Sequence, residues 1–214
     1  MDDYTYYFLL NAEAHMSRVR RNTQADSVDR DGDARTPVPA VEVVAFWRTA
    51  GSSLWFAKDA EFDRRFRDRF LTLHEAATSG ELAGWTATPE GSLALIILLD
   101  QYPRNAFRGT PRMYGTDTQA REIARMAVAH GQDRVIEPAL RIFVYMPFAH
   151  SEALADQNRA VALVDHLGGV NLQHARRHRD IIRRFGRFPH RNPLLGRPMT
   201  SEEQRYLDEG GYAG

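Results

Sequence analysis

The residues with the densest chemistry are Arg183-Arg184-Phe185-Gly186-Arg187-Phe188-Pro189-His190-Arg191-Asn192, followed by Leu195-Gly196-Arg197. Guanidinium, imidazole and amide groups there surround two phenylalanines just past an expected helix end. From His174 to Arg197 there are eight arginines and one acid, Asp180, in a chain of zero formal charge. Such a segment makes a local positive field and points to an anionic or carbonyl-rich ligand. Arginine count alone carries less weight. Lys58 is the only lysine among the 28 basic residues, a bias that a GC-rich coding sequence also produces.

A second polar group sits where a buried apolar helix is expected to end: Asp100, Gln101, Arg104, Asn105 and Arg108. His150, Glu152 and His178 fall at or near other helix ends, and so do Arg187, His190, Arg191, Asn192 and Arg197. Where helix ends converge, these residues form one pocket. In it Arg104, Arg108, Arg187, Arg191 and Arg197 present planar forks for a carboxylate or phosphate. Asn105 and Asn192 orient the ligand, and His150 or His190 beside Asp100 or Glu152 moves a proton near neutral pH. The opposing reading is structural: Asp100, Glu152 and the arginines form salt bridges and caps that fix the helix ends.

Other chemistries fit less well. His174 and His178 stand four apart on one helix face, a metal-ligand spacing that still needs a third ligand, for which His150 or Glu152 would serve. There is no His-Glu-x-x-His and no paired Glu-x-x-His, so no metal or other cofactor is expected. Ser151 follows His150, but sequence neighbours rarely face each other, and Ser151 is expected to act as a helix N-cap. No Gly-x-Ser-x-Gly, phosphate loop or dinucleotide fingerprint is present. Asp29, Asp31 and Asp33 resemble a calcium loop, but the glycine is misplaced and position twelve is Ala40. The arginines with Phe185 and Phe188 suit nucleic acid, but zero net charge and the acids Glu202, Glu203, Asp208 and Glu209 argue against it.

The elements that must position these groups are helical. Pro39 opens a helix with an apolar stripe at Val43, Val44, Phe46 and Trp47, stopped by Gly51. Phe62, Phe66, Phe70 and Leu73 recur at helical spacing among charged residues. Thr88 and Pro89 start a helix that is apolar nearly all round through Leu99, which marks it as central, with Pro103 as its expected end. Asp117 caps the next. Another runs from about Arg134 to Tyr145 before Pro147, one from Ser151 to Leu167, and one from Asn171 to Gly186. Thr200-x-x-Glu203 announces the last by a capping box. No segment alternates with period two, so the fold is all-α, with about seven or eight helices packed as hairpins, in a superhelix or an irregular bundle.

At 214 residues, 43% hydrophobic and 26% charged, one globular domain over residues 37–214 is expected. Residues 1–36 are polar and turn-rich from Arg18 onward, and are read as a disordered leader or an extended translation start with Met16 as an internal alternative. There is no cysteine, hence no disulfide framework or thiolate site. Without a signal-like or membrane-length apolar run, the cytoplasm is the expected location and no membrane partner is expected.

Five segments carry a resemblance: Val44-x-Phe46-Trp47, Trp55-Phe56-x-Lys58-Asp59-x-x-Phe62-Asp63, Leu99-Asp100-Gln101-Tyr102-Pro103-Arg104-Asn105-x-Phe107-Arg108-Gly109, Pro147-x-x-His150-Ser151-Glu152 and Phe185-Gly186-Arg187-Phe188-Pro189-His190-Arg191-Asn192. In this order, over about residues 40 to 208, they resemble the bacterial family known as domain of unknown function 924. The resemblance implies an α-helical fold of the tetratricopeptide-like superfamily and no particular activity. Two functions follow as expectations. The first is a pocket for a small anionic or carboxylate-bearing ligand, with acid-base catalysis open to it. The alternative is a tetratricopeptide-like scaffold whose groove grips a peptide or protein partner.

Overall fold

The computed structural model describes residues 36–214, and over these the chain is all-α with no strand. The expected leader, the aspartate-rich loop and Met16 lie outside the described residues, apart from Thr36, whose hydroxyl donates to Thr88 Oγ1 at 3.1 Å. Helix α1 is Val38–Ala50, followed by the short α2 (Ser52–Trp55) and the long α3 (Ala60–Ser79). Further on come α4 (Pro89–Ile96), α5 (Tyr102–Ala106), α6 (Asp117–Ala129), α7 (Pro138–Ala149), α8 (Leu154–Val164), α9 (Gly169–Phe185) and α10 (Ser201–Asp208).

The apolar spacing translates directly into packing. Helix α3 buries Phe62, Phe66, Phe70, His74 and Ala77 along one stripe. Asp59 caps it by accepting from the Phe62 N–H at 2.8 Å. Phe46 stacks on Phe62 and Phe66, and Trp47 and Trp55 both meet Phe143 edge to face. As its composition requires, α4 is central: Gly91 through Ile96 are all buried, and it packs against α1, α6 and α7. Thr88 caps it through the Gly91 N–H. From α6 to α9 each helix packs on the next. A smaller cluster of Ile181, Ile182 and Phe188, with Phe185, Tyr206 and Tyr212 against it, ties the C-terminal segment to α9.

Pro103 does not end the central helix. Ile97–Gln101 forms a π-turn in which the Tyr102 N–H reaches back to the Ile97 carbonyl, and the rod continues as α5 with Pro103 in its first turn. A proline there leaves backbone acceptors without their helical donors. Side chains from other elements replace those donors: His74 Nδ1 lies 2.9 Å from the Leu98 carbonyl, and the Thr116 hydroxyl donates to the Leu99 carbonyl at 2.5 Å. The segment from Asp100 to Ala106 is therefore helical rather than a loop.

Three other expectations need correction. Helix α7 passes through Pro147 to Ala149, because a proline near the end of a helix removes one backbone bond while Val144, Tyr145 and Phe148 remain buried. Ser151 is not the N-cap of α8, a position held by Ala153; its hydroxyl accepts from the Ala153 N–H and donates to Asp156 Oδ2. Asp117 does not cap α6 but opens it, with its carboxylate turned to Arg104. The capping box at Thr200 and Glu203 is present with both of its hydrogen bonds.

Candidate functional site

Asp100 and Arg104, four residues apart on the π-turn and α5, face the C-terminal end of α7, where His150 follows the last helical residue. Asp100 is fully buried, and its Oδ1 lies 2.8 Å from His150 Nδ1 and 3.2 Å from Arg104 Nη1. Its Oδ2 accepts from Gln101 Nε2 at 2.5 Å. Arg104 grips Asp117 with both terminal nitrogens, at 2.8 and 3.1 Å. Arg191 approaches Asp117 at 3.6 Å and donates to the His150 backbone carbonyl at 3.0 Å. The result is a closed circuit: Asp100, His150, Arg191, Asp117, Arg104 and back to Asp100.

Part of this circuit is helix capping. The last carbonyls of a helix have no partner within it. At the end of α7, Gln157 Nε2 donates to the Ala149 and Ser151 carbonyls, while Arg191 covers that of His150. Arg191 is also sandwiched by the rings of Tyr114 and Phe188, each centred 4.6 Å from its guanidinium carbon. Two carboxylates and two guanidiniums balance one another, so the interior circuit contributes no net charge when His150 is neutral.

Its protonation follows from this environment. Burial disfavours a charged Asp100 carboxyl, but the Arg104 guanidinium, His150 and Gln101 outweigh it and hold the group at about 2. Burial and then the Arg104 charge lower the proton affinity of His150 by more than Asp100 raises it. His150 is therefore a neutral imidazole at pH 7. Its Nδ1–H is directed to Asp100, and the opposite Nε2 edge is left as an acceptor. The side chain keeps 12% exposure, and it lines a cleft.

That cleft has a volume of about 470 Å³. Arg104, Asn105 and Arg108 from α5 and the turn after it line it, with Gln101 behind them. His174, Arg177 and His178 enter from one face of α9, at the i, i+3 and i+4 positions that a helix brings together. Trp55, Phe56 and Lys58 come from the segment after α1, Met146 from α7, and Gly211 to Gly214 from the C-terminal segment. Among the described residues no aspartate or glutamate lines it. Arg108 is paired with Asp63 at 2.9 Å, and Asn105 Nδ2 donates to the same carboxylate at 2.7 Å. Arg177 and Lys58 have no carboxylate side chain against them among the described residues; Arg177 lies over the Tyr212 ring, and Lys58 Nζ is 3.3 Å from the Gly214 carbonyl oxygen.

His178 is a buried polar group of the wall. It is buried against Phe188 and Tyr212, with ring centroids 5.4 and 4.7 Å away. Burial holds its proton affinity well below normal. The Ala149 carbonyl slightly favours protonation but is not in hydrogen-bond geometry, and neither ring nitrogen has a partner among the described residues. Among the described residues no three potential metal-ligand side chains converge.

The structure thus brings Asp100, Arg104, Asn105, Arg108, His150 and Arg191 into one neighbourhood, with Arg104, Asn105, Arg108 and His150 reaching the cleft itself. The other candidates serve different contacts. Glu152 accepts from the Phe188 N–H and Arg197, each at 2.9 Å. Arg187 binds both oxygens of Glu203, at 2.6 and 2.9 Å, and the Pro198 carbonyl. Asn192 is buried beside Met199. His190 packs edge-on to Tyr212, and burial next to Arg191 lowers its proton affinity to about 4. Sequence reasoning missed Lys58, Arg177 and Tyr212 as lining residues. The first lay in the quoted Trp55-Phe56-x-Lys58 segment, and the second shares a helix face with His174 and His178.

Known proteins add a family but no activity. A solved structure of a protein of unknown function, ATU0120 from Agrobacterium tumefaciens, is similar to this chain with 52% sequence identity and a TM-score of 0.81, over 82% of this chain and 100% of that one. No curated protein matches. A family model described as bacterial protein of unknown function, DUF924, matches residues 43–211. The chain is a member of that bacterial family.

Proposed function

We propose that the cleft binds a small anionic ligand bearing a carboxylate or phosphate, and that His150 exchanges a proton with it. One observation carries this reading: among the described residues the cleft is lined by Lys58, Arg104, Arg108, Arg177 and three histidines without any aspartate or glutamate. The inner arginines are balanced by Asp100, Asp117 and Asp63, so attraction for an anion comes from Lys58 and Arg177. The neutral His150, oriented by Asp100, is suited to act as a general base through Nε2. A cytoplasmic setting, and hence a cytoplasmic ligand, is part of the proposal. No described helix is long and apolar enough to cross a membrane.

The test is a calorimetric titration with inorganic phosphate and with acetate, repeated on Arg177→Ala, whose side chain is exposed and has no carboxylate side chain against it among the described residues. Saturable binding that weakens at least fivefold in the variant is expected. Equal affinity in both proteins places the anion elsewhere and defeats the reading. A peptide or protein partner is the second reading, supported by the backbone of residues 211–214 that already lines the cleft. It requires peptides to bind where small anions do not.

A further inference from the structure

The cleft has an apolar annex. A cavity of about 30 Å³ opens beside it, between α7, α8 and α9, and shares Met146, His150, His174 and His178 with the cleft wall. Its remaining lining is mainly aliphatic: Ile142, Ala149, Val164 and Ala175. The hydroxyl of Tyr145, which also lines it, is committed to Asp133 Oδ2 at 2.7 Å. A water needs two to four polar partners to be held in such a space. Asn171, His150 and His174 also border it, but the ring nitrogens of His178 are buried and most of the wall is apolar, Phe56 and Met146 included, so the annex suits carbon better than water. At roughly 10–15 Å³ for each water-sized group, it accepts about two or three of them.

From this we infer that the ligand is a short-chain aliphatic carboxylate, its alkyl end in the annex and its carboxylate in the cleft that Arg177 and Lys58 line. The inference rests on the proposed anion site and names its ligand class. A carboxylate fits better than a phosphate for an electrostatic reason. The inner wall offers a network without net charge, and the ring nitrogens of His178 are buried within it rather than open to a ligand. A buried dianion needs more compensation than such a wall gives, while a monoanion is served by the flanking Arg177 and Lys58.

The experiment is a calorimetric series on the full chain with acetate, propionate, butyrate, pentanoate and hexanoate, with inorganic phosphate alongside. Each buried methylene adds about fourfold in affinity, so binding is expected to rise from acetate to butyrate or pentanoate and then level off. A flat series, with acetate as strong as butyrate, overturns the inference and leaves the anion site standing. A series that keeps rising through hexanoate also overturns it, because the annex is then not the limit. No binding of any carboxylate or of phosphate overturns both this inference and the reading beneath it. Ala149→Leu, which fills the annex, is expected to erase the chain-length dependence while acetate still binds. An unchanged series in that variant counts against the annex as the alkyl site.

Discussion

His150 Nδ1 lies 2.8 Å from Asp100 Oδ1, and this contact joins the end of α7 to a carboxylate buried in a π-turn of the central helix. The carboxylate orients the ring, and the ring lines the cleft. The same aspartate also faces Arg104, so it serves both the candidate chemistry and the stability of the interior.

Replacing Asp100 with Asn keeps the shape but leaves Arg104 opposed by Asp117 alone. Breaking a buried ion pair from one side costs about 3–5 kcal/mol. Chemical denaturation of Asp100→Asn is expected to show a loss of that size. A loss below about 1 kcal/mol, the scale of an exposed pair, means that the circuit does not hold the interior.

Arg187 and Arg191 are separated by four positions and belong to different structures. Arg191 closes the Asp100 circuit, whereas Arg187 pairs with Glu203, whose side chain is 3% exposed and which completes the capping box of α10. Arg187→Ala is expected to destabilise by removing the partner of Glu203 and to add independently to Asp100→Asn. Arg191→Ala should instead couple to Asp100→Asn by about 0.5–3 kcal/mol, as members of one network do. Double-mutant cycles in urea measure both. Coupling at Arg187 and additivity at Arg191 would reverse the assignment.

The central helix offers a local test of the π-turn. Thr116→Val removes the donor to the Leu99 carbonyl, leaving a buried acceptor unsatisfied. The expected loss is about 1–3 kcal/mol. A neutral effect by thermal denaturation means that the freed carbonyl has another partner.

Stability should also depend on pH with a defined sign. Burial, followed by neighbouring charges, keeps His150, His178 and His190 harder to protonate in the folded chain than at the ordinary 6.5, with His190 at about 4. The unfolded chain therefore binds more protons as pH falls below 6.5, and stability drops over the window from about 6.5 to 4. Asp100 is held at about 2 against an ordinary 3.8, and Glu203, bonded to Arg187, at about 2 against 4.5. These carboxylates contribute fully above about 4.5, and their contribution is lost towards pH 2. Calorimetric Tm values should be level from pH 7 to 8 and fall steadily below 6.5. His190→Asn should flatten the upper stage of that fall. A Tm unchanged between pH 7 and 5 contradicts this assignment.

Much of the fold was legible in the sequence, because the apolar stripe of α3, the all-round apolar α4 and the Thr200 capping box depend on local spacing and local hydrogen bonds. Pro103 misled because the donors that replace its missing bond come from distant side chains, His74 and Thr116, and Pro147 because a helix near its end tolerates the loss of one backbone bond. The candidate site was legible in residue type but not in partnership. Arg187, Arg191 and Arg197 read alike in sequence, yet one binds a capping-box glutamate, one caps α7 and one binds Glu152. Only long-range packing decides which guanidinium meets which carboxylate. Arg177 was passed over because what sets it apart is having no carboxylate side chain against it among the described residues, which no local pattern reveals.

The most direct measurement is a long-range 1H–15N spectrum of the histidine rings at pH 7, recorded while acetate or butyrate is added. The expected result is a neutral His150 with the proton on Nδ1, and an Nε2 resonance that shifts saturably with the anion and stops responding in Arg177→Ala. A His150 that is protonated on Nε2, or one whose resonances stay fixed while the anion binds, would contradict the anion cleft and its histidine base.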